Sequence, residues 1–275
     1  MIDFATHKVL PVDAEIVEKR QTLISTIDVN EGVYVRDLNK GEVKIVKDRT
    51  YMLSAHEVLA EKIDPDIDEL LYPNGGRDKT KAITIRLDPN EAVHIYKEKD
   101  NSSRVVLGPD LIMLEYDEHI TRNILSGKTP KEEGVIKTFK IKLGPDFMTD
   151  IFKVETSNNA KMRINLSYNW HFEYDKNSQE SLKKIFNVRD FVGDTCRELK
   201  SKVVAEVAGK TLDEFHKNSA RIIRASIFGM DHGKVKDRYL FATNNLVITN
   251  VDIKLIESMD KESQASLQEI VKMAI

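Results

Sequence analysis

Ser126-Gly127-Lys128-Thr129 has the form of the end of a phosphate-binding loop. Such a loop closes backbone N–H groups around a phosphate and needs its first glycine where Arg122 stands, so a solvated turn is expected instead. Asp64, Asp66 and Asp68 alternate like the opening of a calcium loop. The sixth position of that loop must be glycine and the twelfth a bidentate glutamate; here they are Glu69 and Gly75, which leaves at most a weak surface cation site. The seven histidines lack metal-ligand spacing, and the single cysteine cannot build a zinc cluster. His171, inside an aromatic run, reads as a core residue. His216 and Ser219 could suggest a nucleophile pair, but Ser219 shares a helical face with Phe215 and Ile222 and reads as packing or capping. Cys196 sits on an apolar stripe, where a thiol behaves as a small hydrophobe. Arg221 and Arg224 lie three apart on the same helix, and two readings fit them: a solvated or salt-bridged face, or an intersubunit contact. No catalytic, metal or cofactor site is expected, and the chain does not read as an enzyme.

The totals agree with that. At 275 residues, with 41% hydrophobic and 32% charged residues and a net charge of -3, the chain has material for two or three folded domains. The acidic balance argues against nucleic acid as a direct partner, because phosphate backbones select basic surfaces. One cysteine fits a reducing compartment. Met1-Ile2-Asp3-Phe4 leads into mixed sequence without the apolar core of a secretory leader, and no run approaches the ~18 apolar residues of a membrane span. A cytoplasmic, or also nuclear, location is expected, with no stable membrane insertion.

What must position these residues is a repeat. Asp28-Val29-Asn30-Glu31-Gly32-Val33 returns as Asp88-Pro89-Asn90-Glu91-Ala92-Val93, and 88 - 28 = 60. Lys44-Ile45-Val46 is answered by Arg104-Val105-Val106, and Met52-Leu53 by Ile112-Met113. Short β-branched runs such as Ile83–Leu87 and Ala92–Tyr96 alternate with turns at Asn39-Lys40-Gly41, Asp88-Pro89-Asn90 and Asp100-Asn101-Ser102. Each repeat is therefore expected to be a small antiparallel sheet, too thin to stand alone and built to stack. Asn74-Gly75-Gly76-Arg77-Asp78 reads as the loop between the two.

The character changes near Gly134. Strand-like runs follow at Val135–Leu143, Phe147–Thr156 and Ala160–Tyr174. Two helices come next. Val192, Cys196, Leu199, Val203 and Val207 form one stripe closed by Gly209, while Thr211 and Glu214 make a capping box ahead of Leu212, Phe215, Ile222 and Ile223. A final strand spans Leu246 to Leu255. From Asp260 the chain turns helical, with Leu267, Ile270, Val271, Ala274 and Ile275 on one stripe that stops without a cap, so the natural helix is expected to continue. The fold class is α+β: tandem small antiparallel β repeats, a mixed domain, then the start of a long helix.

Several phrases carry a family resemblance. They are Val105-Val106-Leu107-Gly108-Pro109-Asp110, Leu143-Gly144-Pro145-Asp146-Phe147, Tyr168-Asn169-Trp170-His171-Phe172, Asp190-Phe191-Val192-Gly193-Asp194 and Phe215-His216-Lys217-Asn218-Ser219-Ala220-Arg221-Ile222-Ile223-Arg224. In order and over nearly the whole chain, they resemble the major vault protein family. The resemblance implies wall repeats of a hollow ribonucleoprotein shell over 1–75 and 76–134. It further implies a stomatin-like α/β shoulder domain over 135–256 and the start of a cap helix over 257–275. It also implies a non-catalytic, self-assembling subunit without a cofactor, whose partners are further copies of itself and other vault components. The stomatin likeness opens an alternative, a membrane-associated scaffold, for which the sequence supplies neither an apolar anchor nor a basic amphipathic face. The stripe of Leu267, Ile270, Val271 and Ala274 either bundles with neighbouring copies or packs back on its own shoulder, and Arg221 and Arg224 are the further candidates for an assembly interface.

Overall fold

The structure, a computed structural model, describes residues 30–47, 50–259 and 264–265, together with the backbone of 23–25. The tail stripe of Leu267, Ile270, Val271 and Ala274 lies outside the described residues. The chain forms two compact units, one built from residues up to 89 with 95–120, the other from 90–94 with 121 onward.

In the first unit the repeat predicted from the 60-residue echo is visible strand by strand. Its first copy contains β1 (Leu23–Ser25), β2 (Val33–Asp37), β3 (Val43–Val46), β4 (Thr50–Met52) and β5 (Glu57–Leu59). β2 pairs antiparallel with β3 and β5, and β1 with β4. A short helix, α1 (Pro65–Leu71), follows. The second copy contains β6 (Thr84–Leu87), β7 (Glu91–Lys97), β8 (Ser102–Leu107), β9 (Asp110–Met113) and β10 (Glu118–Ile120). Here β7 pairs with β8 and β10, and β6 with β9. The pairing Val35↔Leu59 becomes Ile95↔Ile120. The offset is thus 95 - 35 = 60 on the inner strand and 120 - 59 = 61 on its partner, one residue being taken up between them.

The turns form for stated reasons. The Asp37 carboxylate accepts from the amides of Asn39 and Lys40, and Asp100 accepts from Ser102 N. Gly108 must be glycine, because a Cβ there would stand 1.9 Å from the Asp88 carbonyl oxygen. Helix α1 was not foreseen. Asp64 is its N-cap, accepting from Ile67 N at 3.1 Å, with Pro65 preset for the first turn, so the alternating aspartates begin a helix.

The second unit opens with the hairpin β11 (Asn123–Gly127) and β12 (Glu132–Thr138), then β13 (Ile141–Lys142), which pairs with the start of β7. Gly134, where the character of the sequence changes, falls inside β12. The main sheet is antiparallel, in the order β14 (Asp146–Glu155), β15 (Lys161–Phe172), β19 (Leu246–Ser258), β18 (Tyr239–Phe241). Alternation along β15 buries Met162, Ile164, Leu166, Tyr168, Trp170 and Phe172 on one face, covered by helices. His171 therefore lies on the other, polar face, half-buried and 3.8 Å from Glu173; the expectation of a core histidine fails because the strand's period is two.

Between β15 and the next strand the described residues hold three helices, where two were expected: α2 (Gln179–Lys184), α3 (Phe191–Ala208) and α4 (Leu212–Phe228), with α4 kinked at Asn218. A small hairpin, β16 (Met230–Asp231) and β17 (Lys234–Val235), leads back to the sheet. The apolar stripe of α3 is as expected at Cys196, Leu199, Val203 and Val207, with Phe191 more deeply buried than Val192. Phe191, Trp170 and Phe172 meet edge to face at 5.2 to 5.6 Å. No helix among the described residues is long and apolar enough to cross a membrane.

Candidate functional site

The most developed polar constructions in the repeats are two buried carboxylates at equivalent places. Glu57 begins β5 and Glu118 begins β10, and they are 8% and 5% exposed. Each folds back on the turn before it: Glu57 accepts from Ser54 N at 3.1 Å, Glu118 from Glu115 N at 3.0 Å. Each also receives a cation from the strand on the far side of the inner one, from β3 across β2 and from β8 across β7. Lys44 Nζ lies 2.7 Å from Glu57, and Arg104 Nε lies 3.0 Å from Glu118 with Nη2 on its second oxygen. The Lys44 bond, with the Ser54 amide and the Tyr51 hydroxyl, holds Glu57 down at about 2. At Glu118 burial pulls the carboxyl upward, but Arg104 and the Glu115 amide outweigh it and the result lies below the ordinary value.

Lys62 is buried as well. Its ammonium donates to the carbonyls of Glu115, at 2.8 Å, and Glu118. Burial lowers it to about 8 in spite of nearby Asp64 and Glu118. Tyr34, fully buried, donates to Leu114 O at 2.8 Å and accepts from Ile83 N, and burial raises its hydroxyl to about 12. These contacts join residues of the first repeat to residues of the second. They satisfy backbone groups where thin sheets stack.

In the second unit Asp190, the N-cap of α3, accepts from Gly193 N at 3.0 Å, Ser126 N at 2.9 Å and Ser126 Oγ at 2.6 Å. Ser126 thereby belongs to a capping knot. Lys128 is in a left-handed turn and its ammonium reaches Glu132, as the solvated-turn reading expects. Cys196 is buried against the Met148 sulfur at 3.7 Å, and burial pushes its thiol up to about 12, far from a reactive thiolate. His216 is exposed and Ser219 half-buried. The Asp64, Asp66 and Asp68 carboxylates are engaged elsewhere, Asp68 with Arg77 at 2.8 Å. No group of three metal-capable side chains occurs among the described residues.

The two arginine candidates separate. Arg224 donates to Asn250 Oδ1 at 3.2 Å and Val251 O at 3.4 Å, tying α4 to β19. Arg221 is exposed and makes no ion pair among the described residues. Sequence reasoning missed Glu57, Glu118, Lys62 and Tyr34. The signal was partial: the 60-residue echo aligns Lys44 with Arg104 but sets Glu57 against Asp117, one residue short of Glu118, because the extra residue enters between the strands.

Comparison with known proteins agrees with this construction. A family model described as a major vault protein repeat domain matches residues 24–81, a second of that description matches 82–143, and one described as a shoulder domain matches 144–260. Major vault protein alpha of Dictyostelium discoideum is 47% identical over 274 residues, covering 96% of this chain and 32% of its own. The chain belongs to the major vault protein family. The major vault proteins of Strongylocentrotus purpuratus (96% of this chain, 33% of its own) and Diplobatis ommata (100% and 35%) are 43% and 40% identical. This member spans about a third of the length of those relatives. The residues matched as two repeats are those whose buried glutamates and cations coincide, and the residues matched as the shoulder hold the helix-covered sheet.

Proposed function

We propose that this chain is a non-catalytic, self-assembling structural segment of the vault ribonucleoprotein shell. The observation that carries the reading is the twofold use of one small sheet in which a buried carboxylate is met by a half-exposed cation. A unit that cannot bury its faces alone gains by being stacked, which is the logic of an array. The partners are further copies of the chain, side by side, and other vault components; direct nucleic-acid contact and stable membrane insertion are not part of the reading. The cytoplasm, and also the nucleus, are the proposed locations. Leu267, Ile270, Val271 and Ala274, spaced in the sequence as one helical stripe, are the proposed bundling residues, and exposed Arg221 is the better placed of the two arginine candidates for contact with a neighbour.

Light scattering tests this on the chain and on a version lengthened at its C-terminal end with the segment that follows the matched region in a longer relative. The extended form is expected as one large uniform species, and Leu267→Asp with Ile270→Asp returns it to small species while the far-UV circular dichroism of the shoulder stays unchanged. Intact large particles from that double variant would overturn the proposed role of the stripe.

A further inference from the structure

The first unit contains a cavity of 360 Å³ beside the loop Asn74–Asp78. Arg77 forms part of its wall. The Arg77 side chain is 5% exposed; its Nε donates to Asp68 at 2.8 Å and its Nη2 to Lys62 O at 2.7 Å. Its Nη1 is buried and has no hydrogen-bond partner. A buried guanidinium N–H without an acceptor is unfavourable, and the acceptor that offsets this most fully is a charged oxygen. The rest of the wall narrows the choice. Glu31 and Asp78 also line the cavity, and Lys81 is already bonded to Glu31 at 2.8 Å, so the lining carries no surplus of positive charge. A doubly charged phosphate is repelled there more than a singly charged carboxylate. The loop at the cavity faces open space, since nothing lies within 4 Å of a Cβ built on Gly75 or Gly76, and Gly76 has φ +88°; Nη1 itself is covered, so this turn must shift for an acceptor to reach it.

We infer that this cavity is a carboxylate-binding site, in which Arg77 Nη1 donates to the carboxylate and the Gly75-Gly76 turn yields to admit it. The carboxylate comes either from a small organic acid or from an acidic side chain of a second copy of the chain. The inference stands apart from shell assembly, since a small acid could bind an isolated chain.

The test is nuclear magnetic resonance of the ¹⁵N-labelled chain, titrated with acetate, with inorganic phosphate, and by dilution with no added anion. Acetate is expected to move the Gly75, Gly76 and Arg77 signals saturably at millimolar levels, with phosphate at least about fivefold weaker. Movement of the same signals on dilution, reversed by acetate, assigns the carboxylate to a second copy. Arg77→Lys keeps the charge but loses the fork, and is expected to weaken acetate about fivefold or more. Because Arg77 also holds Asp68 and Lys62, Asn30→Asp serves as a second variant: it is exposed, lines the cavity and adds repulsion without touching those bonds. Absence of any saturable shift up to ~0.2 M acetate together with no change on dilution overturns the inference, as does acetate binding that both variants leave unchanged.

Discussion

The repeats and the shoulder stabilise themselves in different ways. Repeat strands are three to seven residues long, and buried among them are Glu57, Lys62 and Glu118, each bonded to backbone. The shoulder sheet has strands of ten, twelve and thirteen residues, one face of which is covered by helices bearing Phe191, Leu199 and Phe215. A thin sheet cannot remove much apolar area from water, so its free backbone groups must be met by side chains instead. Where two long layers meet, apolar burial carries most of the core, and the buried carboxylate of Asp150 in β14 is met by the amides of Lys131 and Ile151.

The contrast can be broken from either side. Leu199→Ala, at a fully buried position of the shoulder, is expected to lower stability by about 2–5 kcal/mol through the cavity it leaves. Trp170, the only tryptophan, sits in the shoulder sheet, so its fluorescence during urea unfolding reads this change directly. Glu118→Gln is expected to cost about 1–3 kcal/mol and to shift the circular dichroism transition while leaving the Trp170 transition in place. An equal shift of both signals would refute separate stabilisation of the two regions. Acid sharpens the same point. Glu57 is depressed from 4.5 to about 2, so its contribution is complete above 4.5 and is lost as pH falls from there towards 2. Glu57→Gln should therefore flatten the acid limb of stability in the repeats, measured by urea midpoints across that range. The smallest effect belongs to a helix end: Thr211→Ala removes half of the capping box with Glu214 and is expected to cost about 1 kcal/mol.

Much of the fold was legible in the sequence because its signals are local or periodic. The echo located the β repeats, the spacing from Cys196 to Val207 located α3, and Thr211 with Glu214 located the start of α4. What escaped depended on geometry that periodicity does not encode. The aspartates at 64, 66 and 68 read as at most a weak surface cation site, whereas Asp64 and Pro65 open a helix. His171 looked apolar by the company of Trp170 and Phe172, yet strand alternation turns it outward. Lys62 carries no sequence sign of burial, since its partners are carbonyls fifty-three and fifty-six residues away. Of the proposed assembly residues, Arg221 and Arg224 could be located and were found to differ, Arg224 being committed to β19.

Asp190 bears on where the shoulder can be cut. Two of its three hydrogen bonds come from Ser126, sixty-four residues earlier and inside the stretch matched as a repeat. The first turn of α3 is thus completed by a strand that family boundaries assign to the preceding module. A shoulder excised at residue 144 would keep its sheet and its helices but lose that strand. The compact unit that holds the shoulder accordingly takes in residues 90–94 and resumes at Thr121, well ahead of residue 144 where the family match to the shoulder starts.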